Sequence, residues 1–144
     1  LISGANFINI NNDAIDFSGS KVDVDNVVFE NVSDKIISVG EDSRVNISQI
    51  VGKNSYAGVV SKDGSKVYSY NINFNGVKIP FAAYQKKNEY DYPLLNIKNY
   101  KLKNFATKSI RDKTAKLITE EEVRVMKSNK IISLMYEKNI SLIE

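Results

Sequence analysis

The sequence predicts an all-β fold, a parallel β-helix (solenoid) of about four to five coils with a C-terminal helical cap. Three observations predict it. One apolar-alternating phrase recurs, as DAIDFSGSKVDV from Asp13, KIISVGEDSRVNI from Lys35, GVVSKDGSKVYSY from Gly58 and, interrupted, as FAAYQKKNEYDYPLLNI from Phe81. The recurrence is regular, with Ile15, Ile37, Val59 and Ala82 separated by 22, 22 and 23 residues. Amide side chains recur in phase with it, at Asn26, Gln49, Asn71 and Asn99.

Each element follows from the local text. Ile15 and Phe17 flank Asp16, Val22 and Val24 flank Asp23, and Val45 and Ile47 flank Asn46. Alternation with period two and β-branched residues on one side is strand text. Turns rich in Asn, Asp, Gly and Ser separate the runs, so each repeat holds about three short strands. A small-polar turn recurs before Val22, Val45 and Val67, and a looser amide position holds Asn31, Asn54 and Asn104, with Gly76 in the third repeat. Stacked coils put equivalent residues about 4.8 Å apart. Asn and Gln carry donors and acceptors, so the amide column is expected to form a structural ladder through Asn26, Gln49, Asn71 and Asn99. Leucine-rich repeats fit the period but not the residues, and no helix fits within a repeat. A β-sandwich with Asn-rich loops would not repeat four columns at this spacing.

The coils are expected over residues 1–118 and a capping segment over 119–144. In the latter, Ser128 is expected to cap a helix starting near Asn129, with Ile131, Ile132, Leu134 and Met135 forming an apolar stripe that covers the open end of the stack. The chain opens on Leu1 in strand-like text without a matching cap. A missing N-terminal part of the same polypeptide is therefore an expected partner, and self-association through an open N-terminal coil is the alternative.

The columns resemble those of right-handed parallel β-helix proteins of the pectate-lyase-like superfamily over roughly residues 4 to 118. Narrower motifs, DKIISVGEDSRVNI, VVSKDGSKV and FAAYQKKNEY, resemble the C-terminal β-helix module of bacterial spore-coat-protein-H-like (CotH-type) surface proteins. That resemblance implies a bacterial, cell-envelope or extracellular setting and carries no catalytic residues over. The polygalacturonase-type motifs Asn-Thr-Asp, Asp-Asp, Gly-His-Gly and Arg-Ile-Lys are absent. No carboxylate stack of the pectate-lyase kind follows Asp16, whose column continues through Ser38, Val60 and Ala83.

Composition narrows the chemistry. The chain of 144 residues has no Cys, His or Trp. Disulfides, thiolate zinc sites, cysteine nucleophiles and Ser-His-Asp arrangements are therefore excluded, leaving carboxylate, lysine or tyrosine chemistry. No metal or cofactor is expected; Glu41 and Asp42 alone are a weak calcium pattern. A net charge of +3, from 20 basic and 17 acidic residues, shows no single basic block. Nucleic acid is accordingly not an expected partner, and no membrane span or leader is visible.

Candidate binding residues gather at the turn after the first strand of each coil. This edge lengthens from Ser18-Gly19 to Gly40-Glu41-Asp42, Lys62-Asp63-Gly64 and Gln85-Lys86-Lys87-Asn88-Glu89. The fourth repeat carries an insertion, visible in the 28-residue step from Asn71 to Asn99. Insertions in solenoids project on one face. Lys62, Asp63, Tyr84, Gln85, Lys86, Lys87, Glu89 and Tyr90 are the ligand-binding candidates, with tyrosine rings suited to sugar faces and polar groups to hydroxyls or carboxylates. The opposing expectation is a solvated turn whose tyrosines pack on the coil. The expected function is a noncatalytic scaffold module of a larger bacterial surface protein that also binds polysaccharide. Alternatives are a lyase, hydrolase or epimerase fragment using Asp16, Lys62, Asp63 or Lys86, and a phage tail-fibre β-helix.

Overall fold

A chain that coils must bend at the same places in every turn, and here it bends at residues with left-handed backbone. One corner is formed by Gly4, Asn26, Gln49, Asn71 and Asn99, with φ of 65°, 55°, 54°, 58° and 53°. A second is formed by Asn9, Asn31, Asn54, Gly76 and Asn104, with φ between 47° and 76°. A third holds Gly19, then Glu41 with Asp42, then Asp63 with Gly64. Asn and Asp tolerate this region because their short polar groups bond locally, and Gly because it has no Cβ. The amide periodicity in the sequence is thus the trace of the corners.

The computed structural model describes residues 1–143. Glu144, the last residue of the expected 119–144 segment, lies outside the described residues. The described chain is a parallel β-solenoid of about five turns, 59% strand, with one short C-terminal helix. Its strands are β1 (Ile2–Ser3), β2 (Asn6–Ile10), β3 (Ile15–Ser18), β4 (Lys21–Val32), β5 (Lys35–Gly40), β6 (Arg44–Lys62), β7 (Lys66–Tyr84), β8 (Leu94–Lys103), β9 (Ile110–Arg111), β10 (Lys116–Ile118) and β11 (Arg124–Val125). Helix α1 (Ser128–Tyr136) and a short 3-10 turn (Ile140–Ile143) follow. The strands of a coil run into one another, so β6 and β7 each pass two corners without interruption. All pairings are parallel, and pairing lapses at the corners, as between Ser48–Tyr70 and Ile50–Ile72.

Three sheets result. The first contains residues 21–25, 44–48, 66–70, 94–98 and 116–118, and the second 27–30, 50–53, 72–75 and 100–103. The third contains 15–18, 37–40, 59–62, 81–84 and 110–111. The register corrects one column. Val59 pairs with Phe81, not Ala82, so the anchors are Ile15, Ile37, Val59 and Phe81 at an unbroken step of 22. Asp16 is followed by Ser38, Val60 and Ala82, not Ala83. Aligning apolar text cannot separate adjacent members of Phe-Ala-Ala; only pairing does.

The amide column also differs in detail. Asn99 Nδ2 donates to Asn71 Oδ1, but Gln49 Nε2 donates to Asp25 Oδ1 at 3.2 Å. The longer Gln side chain reaches a charged acceptor, the stronger partner. What the four residues share is backbone conformation; the hydrogen bonds are not one continuous chain.

Inward side chains fill the coil, with Phe7 stacked on Phe29 at 5.2 Å and Phe74 against Phe81 at 5.7 Å. A second apolar cluster lies outside the coil. Tyr56, Ala57, Val60, Ile79, Ala82, Tyr84 and Ile110 pack against Ile131, Leu134 and Met135 of α1. The helix therefore covers the outer flank of the third sheet, whereas Ala115, Leu117 and the half-buried Val123 belong to the interior core at the last coil. Flank burial follows from the sequence of that sheet, where Val60 and Ala82 put apolar groups at outward positions that elsewhere hold polar ones. Ser128 does not cap the helix either. Lys127 occupies the capping position without a side-chain bond, and Ser128 Oγ donates to Asp112 Oδ2 at 2.9 Å.

Gly58 has no room for a side chain. A Cβ there would lie 2.1 Å from the Pro80 carbonyl oxygen and 2.3 Å from Phe74 Cε2. Gly58→Ala is expected to destabilise the fold by about 1–3 kcal/mol, through overpacking against backbone that cannot yield. Gly40→Ala, whose Cβ would meet only the flexible Lys62 side chain at 3.5 Å, is expected to stay within about 0.5 kcal/mol. Urea midpoints of the two variants check this; equal midpoints would contradict the packing at Gly58.

Candidate functional site

The inserted turn is fastened from both sides by carboxylates. Asp63 is buried, and its Oδ1 accepts the backbone N–H groups of Lys86 and Lys87, each at 2.7 Å. One coil further on, the buried Asp112 accepts the Gln85 N–H at 2.9 Å, the Thr114 and Ala115 N–H groups at 3.0 and 2.9 Å, and the hydroxyls of Thr114 and Ser128. Burial opposes the Asp112 charge, but the Thr114, Gln85, Ala115 and Ser128 donors outweigh it and hold the carboxyl below its ordinary value. Gln85 Nε2 closes the loop onto the Tyr90 carbonyl at 2.8 Å. Lys87 pairs with Glu41, which also accepts from Ser18; these partners lower the Glu41 carboxyl and raise the Lys87 ammonium.

The other predicted residues face α1. Tyr84 is fully buried, with its hydroxyl 3.3 Å from that of Tyr136, and burial above all pushes its phenol well up. Its ring is covered by protein and presents no face to a sugar. Lys86 Nζ lies 4.1 Å from the centroid of the Tyr136 ring, and Lys35 Nζ lies 4.7 Å from the same ring. Burial resists ionisation of Tyr136, but Lys62, the Tyr84 hydroxyl, Lys35 and Lys86 together lower its phenol. Lys35 is itself buried, its ammonium 2.9 Å from Asp34 and 3.3 Å from Asp13. Burial disfavours that charge most strongly, yet the two carboxylates hold the ammonium above its ordinary value. Tyr56, pushed up to about 12 by burial and then by Asp34, donates its hydroxyl to the Leu134 carbonyl.

Lys62, Lys86, Tyr84 and Asp63 thus meet around the inner surface of the insertion and its contact with α1, while Glu89 is exposed and Tyr90 half-buried at the outer end. Asp16 stands apart at an exposed position on the first full coil. Asp63, occupied by two backbone donors, is a clasp for the loop. Among the described residues, no group of three or more His, Cys, Asp or Glu is arranged to hold a metal, and no helix is long and apolar enough to cross a membrane.

A more open surface lies on the outer face of the first sheet. Tyr68 and Tyr70 alternate with the inward Val67 and Ser69, so both rings point out, 49% and 52% exposed. Register sets Asn46 and Asn96 beside Tyr68, and Ser48 and Lys98 beside Tyr70. Together they line a shallow groove of about 430 Å³. Asn46 donates to Asp23 at 2.8 Å and Ser48 to Asp25 at 2.6 Å, so these two side chains are held in place from the preceding coil. Asn96 Oδ1, at the opposite edge, has no hydrogen-bond partner in the protein. The tyrosine pair lies in a regular strand, with no insertion or turn in the sequence to set it apart. The signal was present in Val67-Tyr68-Ser69-Tyr70, whose odd positions continue the inward Val45 and Ile47.

Charge is segregated as well, which corrects the expectation of a dispersed surplus. Residues 43 to 111 hold twelve Lys and Arg against three carboxylates, Asp63, Glu89 and Asp91. Asp63 is buried and the other two lie in the insertion, so the outer faces of β6, β7 and β8 carry no acid at all.

No protein-family model matches the chain, and neither a curated protein nor a solved structure matches it. Its class is that of the parallel β-solenoids, set by the coils themselves.

The Asp112 clasp has a pH signature. Its folded carboxyl lies below the unfolded value of about 3.9, so its stabilisation is complete above that pH and is lost as pH falls through the folded value. Asp112→Asn is expected to cost about 2 kcal/mol at pH 7, through lost charge-assisted bonds. The gap from wild type should narrow below about pH 4. Urea melts between neutral and acid pH read both; a gap independent of pH would contradict the ionised clasp.

Proposed function

We propose that this chain is a noncatalytic β-solenoid module of a bacterial cell-surface protein, and that it binds carbohydrate on the outer face of its first sheet. The observation that carries this reading is the exposed pair Tyr68 and Tyr70, set among Asn46, Ser48, Asn96 and Lys98. Aromatic rings cover the apolar faces of sugars, while amides, hydroxyls and an ammonium serve sugar hydroxyls. The rings stand about 7 Å apart along one strand, a separation fixed by two residues of extended backbone. Hydrogen-bonded neighbours on both sides hold that strand, so little order need be gained on binding.

The cell-surface setting rests on the motif resemblance to CotH-type modules in DKIISVGEDSRVNI, VVSKDGSKV and FAAYQKKNEY. The noncatalytic reading is supported by the occupation of the acid-base candidates. Asp63 is engaged by two backbone donors, and Lys86 lies over the Tyr136 ring. In this reading the insertion braces the coil and α1, and the flat sheet meets the glycan.

Affinity electrophoresis through gels containing neutral and acidic bacterial polysaccharides tests the proposal. Wild type is expected to be retarded by at least one polymer, and the Tyr68→Ala, Tyr70→Ala double variant to bind roughly tenfold or more weakly, as loss of two aromatic contacts implies. Both residues are exposed, so the fold should persist, which circular dichroism checks. Retardation that survives in the double variant would remove the tyrosine face as the site, and polymer cleared from the gel would overturn the noncatalytic assignment.

A further inference from the structure

The second sheet carries a different surface. Register places Lys53, Asn75 and Lys103 in one outward column and Val51, Asn73 and Lys101 in the next. These six side chains border a groove of about 300 Å³. Asn75 Oδ1 accepts from Asn104 Nδ2 at 2.8 Å, which fixes the amide and leaves its own Nδ2 as a donor. Among the described residues, the ion pairs join Lys35, Lys87, Lys108 and Lys138 to carboxylates and include none of Lys53, Lys101 and Lys103. Glu30, the register neighbour of Lys53 on the preceding coil, makes no such pair.

We infer that this groove binds the sulfate or phosphate ester groups of a charged polysaccharide, through Lys53, Lys101, Lys103 and the Asn75 amide. Three ammonium groups on one rigid face, with the Glu30 carboxylate at the margin beside Lys53, form a region of net positive potential that concentrates polyanions. Asn73 and Asn75 occupy positions where a carboxylate would cancel that potential. Coil stacking places Lys53 and Lys103 two steps apart, about 10 Å, so a polymer running along the solenoid axis meets them in succession. The groove has no aromatic side chain. Single-stranded nucleic acids bind through stacking platforms as well as charge, and this face offers none. The ester-bearing glycan is therefore the polyanion it suits. This inference does not rest on the tyrosine face, which lies on another sheet and contributes nothing to the groove.

Fluorescence anisotropy with labelled dextran sulfate, unsulfated dextran of the same length and oligothymidylate tests it. Wild type is expected to bind dextran sulfate and not dextran, with affinity falling roughly tenfold or more between 50 and 200 mM salt for about three contacts. Lys101→Gln, Lys103→Gln should weaken binding about tenfold or more, whereas Tyr68→Ala, Tyr70→Ala should leave it within about twofold. All four residues are exposed, and unchanged urea midpoints would show that the folds are intact. Absence of dextran sulfate binding, or equal binding by the lysine variant, would overturn the groove. Oligothymidylate bound as tightly as dextran sulfate would overturn the polysaccharide assignment. Loss of binding only in the tyrosine variant would move the site to the first sheet.

Discussion

Left-handed backbone at the corners is the constraint on which the molecule depends. If Asn26, Gln49, Asn71 and Asn99 did not bend alike, successive coils would lose register and the inward columns would not meet. A slip of one residue would turn every core side chain outward. Each corner residue occupies a region that costs L-residues about 1–2 kcal/mol, so the coil holds only because parallel pairing and core packing fix it on either side. Asn is the common solution because its amide can be satisfied along the stack, as Asn31 does with Asn9 at 2.9 Å.

The third sheet shows how a solenoid flank is closed. Its outward positions become apolar through Val60, Ala82 and Ile110, and α1 lies over them. The polar groups trapped by that packing are themselves paired, with Lys35 between Asp13 and Asp34 and Tyr56 on the Leu134 carbonyl. The inserted turn belongs to the same assembly. Asp63 and Asp112 fasten its backbone while Lys86 reaches the Tyr136 ring, so the loop, the last coils and the helix brace one another. An insertion with buried carboxylate clasps is a strut and not a lid.

Using acids for such internal work has a consequence outside. Asp63 and Asp112 are buried, and most remaining carboxylates lie in the first coils and the C-terminal segment. The outer faces of the middle coils are left with Lys, Arg, Asn and two tyrosines. A net charge of +3 conceals this separation, because the acidic first coils offset the basic middle in the total. The first and second sheets consequently present different chemistry on equally rigid strands, aromatic with amides on one and cationic with amides on the other.

The sequence by itself determined the solenoid. The 22-residue step, the alternation and the recurring amides describe coils that can pair only with their like, and the insertion in the fourth repeat was legible as a change of step. Local physics suffices there, because a corner and an alternating strand are each specified by a few neighbouring residues. Which of Phe81 and Ala82 continues the column, and whether Gln49 bonds an amide or Asp25, depended on cross-coil register. Tyr84 looked like a binding residue beside Gln85 and Lys86, yet the helix some fifty positions later buries it. Tyr68 and Tyr70, in an ordinary strand, emerge as the exposed pair because parity and neighbouring coils decide what faces outward. Burial is a sum over residues distant in the chain, so only the tertiary structure could decide which side chains share an exposed face.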